Sequence, residues 1–166
     1  MPDKIKLGIS ACLLGENVRY DGGHKLDRVL LDVLSPEFGF VPVCPEVECG
    51  MTVPREALRL VGDPNAPRLM TVDTGIDYTG QMLAWGKKRL DGLNDEQLCG
   101  FIFKSKSPSR SVNGITVFSD TGHPSVTDAG LWVRLIKAHF PLLAVEEDEH
   151  LHDPVLRDNF IKRLHK

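Results

Sequence analysis

The sequence predicts an α/β fold, as a single domain with a mainly parallel sheet and helices on both faces. Short apolar runs alternate with stretches of helical periodicity, which is the pattern of strands joined by crossover helices. One of these runs, Cys99 to Lys104, is continuously apolar, as expected for a strand covered on both faces. At 166 residues, without an internal repeat or linker, the chain has the size of one domain spanning 1–166.

The first half of the chain supplies three predicted strands and one helix. Ile5 to Ser10 is a strand followed by a glycine-rich loop. Phe38 to Val43 is the next strand and Arg68 to Val72 another, with prolines in the loop between them. The helix lies between the first two strands, where apolar residues recur at helical spacing: Leu26, Val29, Leu30, Val33 and Leu34.

The second half continues the alternation. After the Cys99 to Lys104 strand, Gly114 to Phe118 is predicted to be an additional strand or a hairpin arm. The last strand is Leu142 to Val145, and Asp153 with Pro154 is a typical start for the last helix. Two further helices are indicated by apolar spacing, one through Met82, Gly86, Leu90 and Leu93, and one capped by Asp128 and carrying Leu131, Leu135 and Ala138.

Composition narrows the class of function. No apolar run approaches the ~20 residues of a membrane helix, and the first residues do not resemble a secretory signal. We therefore expect a cytoplasmic protein without a membrane partner. A net charge of −3 argues against an extensive nucleic-acid surface and favours a small-molecule ligand. A local cluster of Lys104, Lys106 and Arg110 can hold one anionic group, or it is a solvated loop.

Two cysteines follow predicted strands in the same way. Ligands of parallel sheets bind beyond the carboxyl ends of the strands, which places Cys12 and Cys44 at one edge. Each alone is compatible with a buried structural cysteine, whereas two at equivalent positions indicate a site. Soft thiolates select iron–sulfur clusters, zinc or copper(I). Because the sequence contains no Cys-x-x-Cys, zinc ribbons and thioredoxin-like centres are disfavoured.

Several other residues near these loops are candidates for the same site. Cys49 follows Cys44 closely enough to approach the same site, whereas Cys99 is interpreted as core. Glu46 is the strongest acid/base candidate; it is alternatively a carboxylate at a helix N-terminus or an ion-pair partner, with Arg55 as the cation. The glycines near Asp21 permit close backbone approach, but the loop matches neither a Walker loop nor a Rossmann fingerprint.

Four motifs occur in order along the chain: Ile9-Ser-Ala-Cys-Leu-Leu-Gly15, Val18-Arg-Tyr-Asp-Gly-Gly-His-Lys25, Cys44-Pro-Glu46 and Lys104-Ser-Lys-Ser-Pro-Ser109. Together they resemble a family once catalogued as a domain of unknown function, whose characterised members are thiouracil and thiouridine desulfurases. The resemblance implies a [4Fe-4S] cluster held by three cysteines, and a small thiolated pyrimidine whose thiocarbonyl sulfur is replaced by oxygen. It implies Cys12 and Cys44 as cluster ligands, Glu46 as acid/base and Ser107 as a substrate or proton-path residue, with a pocket lined by Ser10, Asp21 and Lys104.

The third cysteine of the family is missing from this sequence. The family's motif reads Ser-Pro-Ser-Cys-Gly, whereas this chain has Arg110 and Ser111 in the last two positions. A guanidinium cannot bind iron. The first hypothesis is therefore a cluster-dependent desulfurase in which Cys49 replaces the third ligand. The second is a cluster-free binding protein, with Arg110 paired to an anionic ligand or to Glu46. A zinc or thiol hydrolase is weaker, because no histidine neighbours Cys12 or Cys44 in sequence.

Overall fold

The computed structural model describes residues 5–19, 21–63, 65–104, 115–119, 124–127 and 130–165. Within these ranges, every helix falls short of the length and apolar character required to cross a bilayer. The strands are β1 (Ile5–Ser10), β2 (Phe38–Val43), β3 (Leu58–Val61), β4 (Arg68–Thr71), β5 (Gly100–Phe103), β6 (Ile115–Phe118), β7 (Pro124–Thr127) and β8 (Ala144–Glu147). The helices are α1 (Arg28–Leu34), α2 (Pro45–Glu48), α3 (Thr79–Asn94), α4 (Leu131–His139) and α5 (Pro154–Leu164), with short 3₁₀ turns at Ala11–Leu14 and His150–His152.

The first sheet is parallel throughout and has the strand order β2-β1-β5-β8. Leu7, Ile9 and Ile102 pack in one apolar cluster with α1 and α5. Phe101 and Phe103 pack in a second cluster with α3 and α4. Because strand side chains alternate between faces, these clusters lie on opposite sides of the sheet. The predicted fold class, a mainly parallel sheet with helices on both faces, is confirmed.

Gly8 in β1 makes room for an aromatic ring on the neighbouring strand. Gly8 is paired with Phe101 of β5, and a Cβ at Gly8 would lie 2.3 Å from Cδ2 of that ring. Phe101 is itself buried and stacks on Phe103 with ring centroids 4.5 Å apart. The two rings therefore fill the space that a larger residue at Gly8 would occupy.

A second four-stranded sheet, of order β4-β3-β6-β7, was not predicted from the sequence as a separate unit. Its β6 and β7 form an antiparallel hairpin, which confirms the hairpin arm predicted at Gly114 to Phe118. Two of its strands, β3 and β7, were not predicted. The four residues of β3 include a central arginine and those of β7 begin with a proline, so both give little apolar signal. Leu60, Leu69 and Val117 pack against Met82 of α3 and Leu131 of α4. The helices α3 and α4 therefore connect the two sheets.

Capping residues fix two helix starts near the first sheet. The Asp153 carboxylate accepts hydrogen bonds from the backbone N–H groups of Val155 and Leu156, as predicted for the start of α5. Asp27 caps α1 by accepting from the N–H of Leu30. The helix α4 begins after Gly130, and the cap predicted at Asp128 lies outside the described residues.

Candidate functional site

The carboxyl ends of the four parallel strands meet at one edge, as the sequence predicts. Ser10 at the end of β1 pairs with Val43 at the end of β2, and Phe103 of β5 pairs with Glu147 of β8. The residues that follow these strands carry thiol, carboxylate and ammonium groups. Since ligands of parallel sheets bind at this edge, we call it the carboxyl edge and take it as the candidate site.

Ser10 and Lys104 join β1 to β5 at the carboxyl edge. The Ser10 side chain is fully buried, and its Oγ accepts a hydrogen bond from the backbone N–H of Lys104 at 3.0 Å. The Lys104 Nζ lies 3.6 Å from Oδ2 of Asp148, and the two side chains are only 12% and 9% exposed. Asp148 is fixed in turn because its backbone N–H donates to the carbonyl of Phe103.

The sequence analysis did not identify Asp148 as a residue of the site, although its position after a strand is the kind of position that indicated the other site residues. It follows β8 in the same way that Cys12 and Cys44 follow their strands, and the rule that parallel strands end at one edge applies equally to it. The rule therefore places an acidic residue at this edge, but four acidic residues, 146–149, follow Val145 in sequence, so it does not single out Asp148 as the partner of Lys104.

Cys12 is fully buried in the 3₁₀ turn that follows β1. Cys12 belongs to the apolar cluster that contains Leu13 and Leu30. Its carbonyl accepts from the N–H groups of Gly15 and Lys25 at 3.2 and 2.9 Å, so the glycine-rich segment is tied back onto this cysteine. Gly15 has φ of 90°, a left-handed conformation that glycine adopts without steric cost.

Cys44 and Glu46 form a buried pair at the end of β2. The Cys44 Sγ lies 3.7 Å from Oε2 of Glu46, and these residues are 3% and 2% exposed. The Cys44 Sγ also contacts the Val18 carbonyl at 4.0 Å. Pro45 fixes the first position of α2, so the chain turns directly after Cys44 and brings Glu46 back to the thiol. A thiol beside a buried carboxylate can exchange a proton with it.

Glu48 supports this turn from the other side. Its Oε2 accepts from the backbone N–H of Cys44 at 2.8 Å, and its Oε1 lies 3.1 Å from Nε of Arg89 in α3. Burial raises the pKa of Glu48, and the Cys44 N–H and the Arg89 charge oppose that rise. We therefore regard Glu48 as the residue that holds the Cys44 backbone in position.

Cys49 is half-buried and is hydrogen-bonded to the segment that carries Glu46. Its Sγ donates to the Glu46 carbonyl at 3.3 Å. Burial, followed by the negative charge of Glu46, raises the pKa of the Cys49 thiol to about 11, although the charge of Arg55 opposes the shift. Among the described residues, Cys49 is not grouped with Cys12 and Cys44 in an arrangement that could hold a metal ion.

Cys99 lies just before β5, at the end of that strand opposite Lys104. Its thiol donates to the Lys6 carbonyl at 3.2 Å, and it packs against the cluster that α1 and α5 cover. Burial raises its pKa to about 11. Cys99 is thus away from the site, as predicted, but it is partly exposed at the margin of the core rather than within it.

Two other predicted residues lie away from this centre. Asp21 is exposed in a turn, where its Oδ1 accepts from the N–H of Gly23 at 2.9 Å. Arg55 donates to the Thr52 carbonyl at 3.4 Å, and among the described residues it forms no ion pair, so its predicted pairing with Glu46 is wrong. The predicted residues Lys106, Ser107, Arg110 and Ser111 lie outside the described residues.

The described part of the chain contains no group of three histidine, cysteine or acidic side chains that is arranged to hold a metal ion. Cys12 and Cys44 lie at the carboxyl edge, but a third thiol does not join them among these residues. The geometry on its own therefore defines a buried edge with thiol, carboxylate and ammonium groups.

Comparison with a protein-family model decides the family. The model described as 2-thiouracil desulfurase matches residues 7–148. The chain belongs to the 2-thiouracil desulfurase family. The matched range runs from β1 to Asp148, so it includes every described residue that the carboxyl edge contributes. The family resemblance seen in the sequence is thereby confirmed.

Two individual proteins are also similar to this member of the 2-thiouracil desulfurase family. The uncharacterized protein YbbK of Bacillus subtilis (strain 168) is 25% identical over 134 residues, which cover 78% of this chain and 87% of YbbK. The structure of the [4Fe-4S]-dependent thiouracil desulfidase TudS superposes with a TM-score of 0.71 at 24% identity, covering 94% of this chain and 99% of TudS. At that identity the superposition establishes a common fold.

Proposed function

We propose that the protein desulfurates a small thiolated pyrimidine, as a base or nucleoside, and replaces its thiocarbonyl sulfur by oxygen. Family membership over residues 7–148 supports the substrate class. The observation that carries the proposal is the buried contact of 3.7 Å between Cys44 Sγ and Glu46 Oε2 at the carboxyl edge. It supports the proposal because a buried carboxylate next to a thiol can act as a proton carrier in a site with little access to solvent.

The reaction needs no net oxidation or reduction. The oxygen of a water molecule forms a bond to the thiocarbonyl carbon as the carbon–sulfur double bond becomes single. The carbon–sulfur bond then breaks, and the sulfur leaves as hydrogen sulfide. In our proposal Glu46 carries the two protons of the water to the departing sulfur one after the other, and the carbon–oxygen bond becomes double as the carbon–sulfur bond breaks. Lys104, held by Asp148, favours negative charge developing at the edge.

The residues at the carboxyl edge do not fit a three-cysteine [4Fe-4S] site. Cys12 and Cys44 can supply two thiolates, but the described residues contain no third ligand grouped with them. The Cys49 thiol donates a hydrogen bond to the Glu46 carbonyl at 3.3 Å. In sequence, Arg110 stands where the family motif has cysteine. We therefore assign no step of the reaction to a cluster.

This incomplete ligand set also favours a second candidate function. According to this second candidate, the protein has the fold of the family and binds a nucleobase or a small anionic ligand, but it does not catalyse a reaction. The two functions predict different results for the same preparation, because binding does not need Glu46 as a proton carrier and desulfuration does.

The experiment is turnover of 2-thiouracil and 4-thiouridine by protein reconstituted anaerobically with iron and sulfide, with the loss of thiocarbonyl absorbance and the iron content measured together. We expect turnover by the wild-type chain and a loss of about 10²- to 10⁴-fold in Glu46→Gln at unchanged fold. Cys99→Ser is the matched control, since Cys99 lies at the far end of β5. Binding of either compound without release of sulfide would favour the second function.

A restored variant tests the missing ligand. Arg110→Cys with Ser111→Gly returns the family's third motif, so it should raise the iron content and the desulfurase activity. If the wild-type chain already holds four irons and turns over as fast as the restored variant, the conclusion that its ligand set is incomplete is wrong.

A further inference from the structure

A cavity of about 200 Å³ lies beyond α2, on the side of the second sheet. It is bounded by the loop after α2, by β3 and β4, and by the residue before α3. Met51, in its wall, donates its backbone N–H to the Glu46 carbonyl at 3.0 Å, so the cavity adjoins the segment that carries Glu46. Among its lining residues are Met51, Leu58, Ile76, Tyr78 and the cation Arg55.

Arg55 brings an incompletely satisfied guanidinium to this cavity. Its Nε is buried and has no hydrogen-bond acceptor among the described residues. Its hydrogen bond to a described residue is the long one of 3.4 Å from Nη1 to the Thr52 carbonyl. A guanidinium carries five N–H donors, and a buried donor without an acceptor costs free energy. An acceptor brought by a ligand would remove that cost.

The acidic residue next to Arg55 in sequence does not neutralise it. Glu56 also borders the cavity, but its carboxylate is turned to the loop after β4. It accepts from the N–H and Oγ1 of Thr74 at 2.7 and 2.6 Å, and from the N–H of Asp73. The positive charge of Arg55 is therefore not matched by a carboxylate of the described residues.

Two other arginines, Arg59 and Arg89, have a buried Nε, and both differ from Arg55. The Arg59 guanidinium lies over the ring of Phe118, 5.2 Å from its centroid. The Arg89 side chain is paired with Glu48 at 3.1 Å. Neither lines this cavity. Among the arginines with a buried Nε in the described part of the chain, Arg55 alone combines a cavity with a charge that has no partner.

We propose that this cavity is a binding site for a small oxyanion, in which Arg55 is the charged ligand. A guanidinium binds phosphate or carboxylate through two parallel hydrogen bonds, which would engage the buried Nε together with an Nη. The volume is below the range of about 300–1,000 Å³ typical of drug-sized ligands, so the occupant is a free ion or a single ring that carries one anionic group.

The site is tested by calorimetric titration of the full chain at low ionic strength, separately with inorganic phosphate and with benzoate. We expect at least one of them to saturate, and the stronger one distinguishes a free ion from a ring-borne carboxylate. Arg55→Gln should weaken that binding at least tenfold. Arg59→Gln is the matched control and should leave it unchanged, because Arg59 does not line the cavity.

A second measurement keeps the test valid if Arg55→Gln does not fold. Phenylglyoxal modifies accessible guanidinium groups, and the rate at each arginine of the wild-type chain is measured by mass spectrometry. Saturating ligand should protect Arg55 and leave the rate at Arg59 unchanged. Failure of both compounds to bind, or binding that does not protect Arg55, would overturn the proposal. Neither probe contains sulfur, so the result is independent of desulfuration.

Discussion

The buried ion pair between Lys104 and Asp148 is the contact whose loss we expect to destabilise the carboxyl edge most. Asp148→Asn removes the negative charge and keeps nearly the same shape. The Lys104 ammonium, on a side chain only 12% exposed, is then left beside a neutral amide. A charge buried without its partner is costly because the protein interior solvates it poorly.

The magnitude follows from the separation and the burial. Two unit charges at 3.6 Å attract by about 4.6 kcal/mol in an effective dielectric of about 20. Breaking buried pairs by removing one partner typically costs about 3–5 kcal/mol. Lys104 and Asp148 both keep further contacts, which places this pair at the lower end. We therefore expect a loss of about 3 kcal/mol, or a fall in Tm of about 6–12 °C.

Urea unfolding followed by tryptophan fluorescence measures this loss without adding salt. The control is Glu96→Gln, which breaks the pair of Lys6 and Glu96. That pair is shorter, at 2.9 Å, but its side chains are 46% and 36% exposed, so its loss should change the free energy of unfolding little. The double variant Lys104→Met with Asp148→Leu removes both charges and should recover most of the stability.

Two results would refute this reasoning. One is a loss in Asp148→Asn no larger than that in Glu96→Gln, since burial would then not distinguish the pairs. The other is a double variant less stable than Asp148→Asn, because the cost would then come from packing at Lys104 and Asp148 rather than from an uncompensated charge.

Three further predictions follow from other parts of the fold. Gly8→Ala should lower the free energy of unfolding by about 1–3 kcal/mol, because its Cβ would lie 2.3 Å from Cδ2 of the buried Phe101. The control is Gly80→Ala, whose added Cβ would have no neighbour among the described residues within 4 Å outside its own helix. Equal urea midpoints for the two variants would contradict the prediction. Asp153→Ala should cost about 1 kcal/mol by removing the cap of α5 and leave ligand binding unchanged, which thermal unfolding and titration check together. Burial raises the pKa of Cys99 from 9.0 to about 11, so its alkylation by iodoacetamide, followed by mass spectrometry, should increase up to about pH 11. In the unfolded chain this thiol ionises near pH 9, so its contribution to stability is present below pH 9 and is lost as the pH rises towards 11. If the alkylation rate of the folded protein instead reached half of its maximum near pH 9, the raised pKa would be contradicted.

The sequence predicts β1 and β2 of the first sheet well, because these strands are apolar runs with sharp ends. The last strand was predicted two residues too early, at Leu142 to Val145, because β8 ends on two glutamates that carry no apolar signal. Ile5 to Ser10 and Phe38 to Val43 have the predicted bounds, and the Asp153 cap is where its side chain and the following proline indicated. The second sheet was harder to predict, since β3 is only Leu58–Val61 and pairs with the distant β6. Pairing between strands remote in sequence has no local signal.

The sequence predicts several of the residues that lie at the candidate site, but it does not predict the contacts between them. Cys12, Cys44 and Ser10 are at the carboxyl edge because parallel strands must end together. The ion pair of Lys104 and Asp148 and the bond from Cys49 to the Glu46 carbonyl depend on loop conformation, which spacing does not determine. The same limit explains the wrong pairing of Arg55 with Glu46.

The position of α3 between the two sheets has a consequence for how the protein opens. Leu90 and Leu93 of this helix pack with the first sheet, and Met82 packs with the second. Trp85 contacts both of these clusters. Detaching the second sheet would therefore expose a helix surface on which the first sheet also depends. Amide protons in β1 and β3 should then exchange with solvent through one common opening, rather than through separate fluctuations of each sheet.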